Sequence, residues 1–378
     1  MGKQSKVINN KATDAFFTLV RAGLWESEGQ LSQFASIDYS IIWQMADEQA
    51  VVGLVAAGIE HVHDIKIPQN IALKFVGSTL QLEQRNKAMN QFVEKLIAQL
   101  RQIDVYALLI KGQGVAQCYR RPLWRSCGDV DLLLNEYNYN KAKAYLLPLA
   151  SEVEPEGEYK KHLGLTIGSW VVELHGNLRC GLSTKMDKTL DEVQNIVFCE
   201  GKVRSWMDGG TQIPLPDINS DILFIFTHFI KHFYCEGLGL RQICDWCRLL
   251  WRNKKSVDRE LIEIWIRKMG MMSEWKAFAA FAVVYLGMPS EAMPLYEDTP
   301  SLRKKAERIK NFILEVGNFG HNRDMSYLDK YPYLIRKFIS MRRRCGVLFR
   351  HAWIFPLDSL IFFPRIMYHG FRSAANGE

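Results

Sequence analysis

The chain has 378 residues, 48% of them apolar and 24% charged, which excludes a disordered polypeptide and allows two domains or one core with a large helical addition. Its net charge of +7 is a mild excess that many soluble proteins share, compatible with a polyanionic substrate or a membrane surface. The eight cysteines are scattered and residues 1–13 are polar, with no apolar run behind a basic start, so free thiols and a cytoplasmic location are expected.

Residues 1–12 read as a frayed end. Helical spacing follows in Phe16, Phe17, Leu19, Val20 and Leu24, and again over 38–61 in Ile41, Ile42, Met45, Val51, Leu54, Val55 and Ile59. An unbroken polar–apolar pattern without proline over 70–102 predicts one long helix. Residues 1–103 are therefore expected to form a helical region serving as scaffold.

An apolar run over 105–110 predicts a strand that stops at Lys111-Gly112, with a helix over 113–119 behind it. Arg120, Arg121 and Arg125 lead to a second run, Gly128-Asp129-Val130-Asp131-Leu132-Leu133-Leu134. In a strand, residues i and i+2 share a face, so Asp129 and Asp131 project together while Val130, Leu132 and Leu134 face the core. Two carboxylates that close repel each other, and a divalent cation relieves the repulsion; an oxygen-rich set suits Mg2+ or Mn2+. A glycine before a helix start lets backbone amides approach phosphate. This is the chemistry of metal-assisted phosphoryl or nucleotidyl transfer.

A helix over 138–147 is stopped by Pro148, and 152–161 reads as a charged loop or hairpin edge. Two strands follow, 162–167 and 170–175, joined by Gly168-Ser169. Val171, Glu173 and His175 share a face, so Glu173 can meet the two aspartates from a neighbouring strand as a third carboxylate. His175 either orients substrate or ends the strand with a satisfied hydrogen bond. Residues 104–180 form the expected catalytic core.

Residues 181–378 are expected to be a helical domain, after a mixed, loop-rich stretch over 181–216. A helix over 217–235, capped by Asp217 or Ser220, carries His228, Lys231 and His232 near one face, without the His-Glu-x-x-His pattern of zinc proteases. A second helix over 240–251 places Arg241 and Asp245 one turn apart, either as an ion pair or with Asp245 orienting the arginine toward a triphosphate. Cys244 and Cys247 have the spacing of half a zinc site, but no second pair matches, and core packing is expected. Three helical patterns fill 258–310; the apolar run 277–286 is too short to span a bilayer. A polar loop is expected over 317–331. The basic, aromatic stretch from Arg342 to Pro364 docks on the core or makes a peripheral membrane contact, and docking is the expectation.

The Lys111-Gly112 turn, the arginine before Gly128-Asp129-Val130-Asp131-Leu132-Leu133, the Glu173-Leu174-His175 strand and Gly239-Leu240-Arg241-Gln242-Ile243-Cys244-Asp245-Trp246 together resemble the DNA polymerase β-like nucleotidyltransferase superfamily. Within it they are similar to the uncharacterised bacterial family found near biosynthetic gene clusters, over roughly residues 40 to 250. The resemblance implies an α+β fold, a small mixed sheet with flanking helices embedded between helical N- and C-terminal regions. It implies transfer of a nucleoside monophosphate from an NTP to a hydroxyl or phosphate of a small molecule, sugar or peptide. Asp129, Asp131 and Glu173 would be catalytic and metal-binding, with Mg2+ or Mn2+ as cofactor. Lys111, Gly112, Gly128, Arg125, His228, Lys231 and Arg241 would face the nucleotide, with Arg125 holding phosphate or bracing an aspartate. One departure stands out: Gln113 occupies the position after the glycine where the superfamily usually has serine.

Two rival readings come from other classes. A catalytically silent NTP-sensing or partner-binding module would leave the carboxylates more than roughly 6 Å from a shared point, beyond metal–oxygen reach. A toxin-like transferase acting on tRNA would need a continuous basic face, and the chain shows no DNA- or RNA-binding motif. The nucleobase, the acceptor and the oligomeric state have no short signature.

Overall fold

A computed structural model describes residues 10–34, 36–156, 161–318 and 333–375. Four helices open it: α1 (Asn10–Trp25), α2 (Tyr39–Glu48), α3 (Val52–Ile59) and α4 (Gln69–Gln102). The pattern over 38–61 is two helices rather than one, because the backbone turns at Ala50 with φ 54°. The buried Gln49 side chain at this break donates to the Ile313 carbonyl at 3.1 Å and accepts from the Leu240 amide at 3.0 Å. Helix α3 packs backbone-to-backbone on α1: a Cβ on Gly23 would lie 2.0 Å from the Leu54 carbonyl oxygen, and one on Gly58 equally near that of Leu19. No side chain fits there.

The sheet follows in β1 (Leu108–Ile110), β2 (Asp129–Leu133), β3 (Glu152–Val153), β4 (His162–Ile167) and β5 (Trp170–His175), with α5 (Gly112–Ala116) and α6 (Glu136–Leu146) between them. Strand order is β1-β2-β5-β4-β3, with β2 and β5 parallel and the other neighbours antiparallel. The fold is α+β, as expected. Helix α6 starts where the Asn135 side chain accepts from the Asn138 amide, and Gly168 at φ 60° turns the β4–β5 hairpin.

The loop-rich expectation for 181–216 is corrected. The stretch is helix α7 (Thr184–Cys199), begun by the Ser183 cap, and a hairpin of β6 (Val203–Asp208) and β7 (Thr211–Pro216). Gly209 and Gly210, both at positive φ, make its turn. Ile213 and Leu215 are buried with the sheet, and Leu215 Cδ2 would sit 2.8 Å from a Cβ on Gly114, so this hairpin seats the start of α5. Prolines 214 and 216 hid the strand, since proline is tolerated only in edge strands of this kind.

Helices α8 (Ile218–Cys235), α9 (Leu240–Arg252), α10 (Arg259–Met269), α11 (Met272–Leu286), α12 (Pro300–Val316), α13 (Tyr333–Ile354) and α14 (Pro356–Ala375) complete the chain. Asp217 caps α8 through two backbone amides. One core joins α1–α3 to α8–α12 through residues such as Phe16, Leu19, Phe226, Phe229, Trp246, Trp275 and Phe278. Each fully buried phenylalanine there contributes about 1.5–3 kcal/mol. A second core lies between the sheet, α4, α6 and β7. Cys244 and Cys247 are buried in the first core, as expected.

On α13, α14 and the residue that joins them, Leu348, Ile354, Phe355, Phe362 and Ile366 are buried, so this stretch docks on the core. Its other face leaves Phe349, Trp353, Leu357, Leu360 and Ile361 exposed. Most of the expected 317–331 loop and the side chains of Arg343, Arg344 and Cys345 lie outside the described residues. Among the described residues no helix is long and apolar enough to cross a membrane.

Candidate active site

The site is built on the register of two parallel strands. Asp131 on β2 stands directly beside Glu173 on β5, and Asp129 is two residues back on the same face. Carboxylate oxygens of Asp129, Asp131 and Glu173 lie within 4.8 Å of one another. Asp131 is 2% exposed and receives Lys111 Nζ at 2.6 Å and His175 Nε2 at 2.8 Å on one oxygen. Glu173 Oε2 lies 3.0 Å from His162 Nε2 and 3.3 Å from His175 Nε2.

Lys111 is held by a strained turn. It joins β1 to α5 with φ 57° and ψ −143°, a backbone that non-glycine residues rarely adopt, and such strain concentrates at functional positions. Gly112 follows at φ 38°, where a Cβ would come 3.3 Å from Cys127 Sγ. The lysine is thereby aimed across the sheet edge at Asp131.

Electrostatics follow from this crowding. The Asp131 charge, then burial, pushes the Asp129 carboxyl above the usual carboxylate range. Burial alone would raise Glu173, but the hydrogen bonds from His162 and His175 outweigh it and hold the group well below that range. Burial disfavours charge on Lys111 and on His175; carboxylates overcome it in both cases, and both are raised. Two carboxyl groups this close repel each other when charged, the condition a bound cation relieves. Hard oxygen donors of this kind fit Mg2+ or Mn2+.

Arg125 is positioned from three sides. Its Nη2 donates to Asp245 Oδ2 at 2.6 Å and its Nε to Oδ1 at 3.1 Å, while Tyr119 Oη donates to the same Oδ1 at 2.8 Å. Asn86 on α4 donates to the Arg125 and Leu123 carbonyls, each at 2.8 Å. Buried Nη1 of Arg125 has no hydrogen-bond partner among the described residues. Asp245 therefore braces Arg125, where the sequence pattern paired it with Arg241. Arg241 donates to the Ser126 carbonyl at 3.1 Å, and burial lowers its pKa against the opposing pull of the Asp245 charge.

Three cavities meet here. A narrow crevice is lined by Lys111, Gly112, Arg125, Asp129, Asp131, His228 and Arg241. On the Glu173 side, a cavity of about 470 Å³ adds His162, His175, Arg179 and Lys231. On the side of the N-terminal helices, one of about 480 Å³ shares Arg125 and Arg241 and adds Glu60, His61 and Arg121.

The expected site residues are thus brought together, with differences of detail. His228 is half-buried with Nε2 3.0 Å from His232 Nε2, and desolvation lowers its pKa well below the ordinary histidine value. Gly128 is exposed and a Cβ there would meet open space, so no steric need for glycine exists at that position. Gln113, at 2% exposure, points away from the crevice and donates to Asn86 Oδ1 at 3.0 Å. It is an anchor of α5 on α4. Sequence reasoning passed over His162, Asn86 and Tyr119. His162 had a usable signal, since it opens the strand antiparallel to His175.

A five-stranded sheet thus presents three clustered carboxylates beside a strained Lys-Gly turn. Residues 35–287 match the family described as uncharacterised nucleotidyltransferase, and the chain belongs to that family. No curated protein and no solved structure matches the chain.

Proposed function

We propose that the protein transfers a nucleoside monophosphate from an NTP to a hydroxyl or phosphate oxygen of a small-molecule, sugar or peptide acceptor, on a polymerase β-like core. The observation that carries this reading is the register pairing of Asp131 with Glu173, which gathers three carboxylates within 4.8 Å. A spread cluster would have favoured the silent-module reading instead. The acceptor oxygen attacks the α-phosphorus, a new P–O bond forms there, and the bond to the bridging oxygen of pyrophosphate breaks.

Asp129, Asp131 and Glu173 would hold Mg2+ or Mn2+, which supplies neutralisation of triphosphate charge and lowers the pKa of the attacking oxygen when bound. The chain's own residues do the rest. Lys111 and the Arg125 Nη1 donor present positive charge to phosphate oxygens, and the turn at Gly112 lets backbone amides come close. Arg241, His228 and Lys231 border the same space and would orient the nucleotide. The Glu173-side cavity gives the acceptor room.

The test is thermal shift with each NTP and Mg2+ or Mn2+, followed by transfer of label from the α-phosphate. Wild type should show a metal-dependent rise with a preferred NTP, lost in Asp131→Ala. A flat response to every NTP with metal would sink the reading.

A further inference from the structure

We propose that His162, Glu173 and His175 form a second metal site, selective for a first-row transition ion of the Zn2+ or Mn2+ class and joined to the aspartate set through the shared Glu173. His162 and His175 face each other directly across the antiparallel β4–β5 pair, and Glu173 precedes His175 by two residues, so all three side chains rise from one face. Glu173 Oε2 is 3.0 Å from His162 Nε2 and 3.3 Å from His175 Nε2, and the three donor atoms lie within 4.8 Å of one another. Ligands bonded at about 2.0–2.2 Å to a common ion sit about 2.9–3.4 Å apart along an octahedral or tetrahedral edge. The two separations, spanned here by hydrogen bonds, have the length of such edges.

Donor chemistry sets the selectivity. Two imidazoles and one carboxylate suit Zn2+, Mn2+, Co2+ or Ni2+, whereas Mg2+ prefers oxygen alone. His175 Nε2 also lies 2.8 Å from Asp131 Oδ1, so binding exchanges that contact for the ion while Lys111 stays on Asp131 at 2.6 Å. The three ligands border the 470 Å³ cavity together with Lys231 and Arg179. Three protein ligands leave a coordination position on the cavity side for an oxygen of a second substrate. That this oxygen belongs to the acceptor rests on the nucleotidyl-transfer reading; the metal site itself does not.

The experiment is titration of the metal-free full-length chain with Co2+ under a large excess of Mg2+, read by visible absorption, with Zn2+ competing. A single equivalent should bind, with His162→Gln weakening it by roughly tenfold or more. Asp129→Asn should keep the imidazole-ligand signature of the cobalt spectrum, because Asp129 offers no donor to this set even though it neighbours the shared Glu173. An unchanged cobalt spectrum and affinity in His162→Gln, or loss of the signal to Mg2+, overturns the proposal. Should His162→Gln lose its circular dichroism, the paramagnetically shifted imidazole resonances of cobalt-loaded wild type decide instead. Two histidine sets support the site and none overturns it. Cobalt binding without any NTP response supports the metal site and removes the nucleotidyl-transfer reading.

Discussion

Arg125 and Asp245 form a buried bidentate pair across 120 positions of sequence, fastening the loop before the acidic strand to helix α9. Breaking such a pair from one side leaves an uncompensated buried charge, at a cost of about 3–5 kcal/mol. Asp245→Asn should therefore lower the unfolding free energy by that order in denaturant titration. Arg125→Lys keeps the charge but loses the fork, and nucleotide affinity should fall about tenfold to a hundredfold, read as a smaller NTP-dependent thermal shift. Equal NTP response in wild type and Arg125→Lys would remove Arg125 from the nucleotide site.

Asp129→Asn separates stability from function. The Asp129 carboxyl is raised mainly by the Asp131 charge, so its ionised form works against the fold above the unfolded pKa. Neutralising it should hold or raise the melting temperature at neutral pH while transfer falls by about 10²-fold or more. Glu173→Gln should also abolish transfer but destabilise, since this carboxyl is held low by His162 and His175. Opposite stability signs with a shared loss of transfer are the expected pattern. Intact transfer in both variants would mean the carboxylates have another role.

Gln113→Ser tests the departure after Gly112. Because the Gln113 amide is buried against Asn86, serine leaves a void and an unpaired acceptor, costing about 1–3 kcal/mol. Nucleotide affinity should not improve. A tighter nucleotide with an unchanged melting temperature would show that the side chain faces the crevice after all.

Stability should depend on pH through Glu274, whose carboxyl on α11 is pushed up to about 8 by burial and then by the Asp358 charge on α14. The folded state keeps a proton that the unfolded chain releases near its ordinary value, so stability is fullest below the unfolded pKa and declines as pH rises toward 8. Glu274→Gln should flatten that decline, seen in melting temperature against pH. Parallel curves for the two proteins would contradict it.

Much of the site was legible because strand alternation is a local signal. Asp129, Asp131, Glu173 and the bounds of β4 and β5 follow from a period of two and a glycine turn. What escaped depends on distant packing. The Gln49 break between α2 and α3 exists because its amide serves α9 and α12. Tyr119 and Asn86 bear on the site by bracing the Arg125 loop, and Asn86 also through Gln113; no spacing rule connects them to either. The β6–β7 hairpin, with prolines in its second strand, lacks the composition by which strands are recognised.

The core shared by α1–α3 and α8–α12 has a consequence for the order of events during synthesis. The first helices leave the ribosome long before their packing partners, with Phe16, Leu19 and Ile42 still awaiting cover. The sheet can pair as soon as β5 has emerged, yet Arg125 acquires Asp245 only when α9 follows. The nascent chain thus keeps apolar helix faces uncovered until the helices through α12 have followed, after the Arg125–Asp245 pair has become possible.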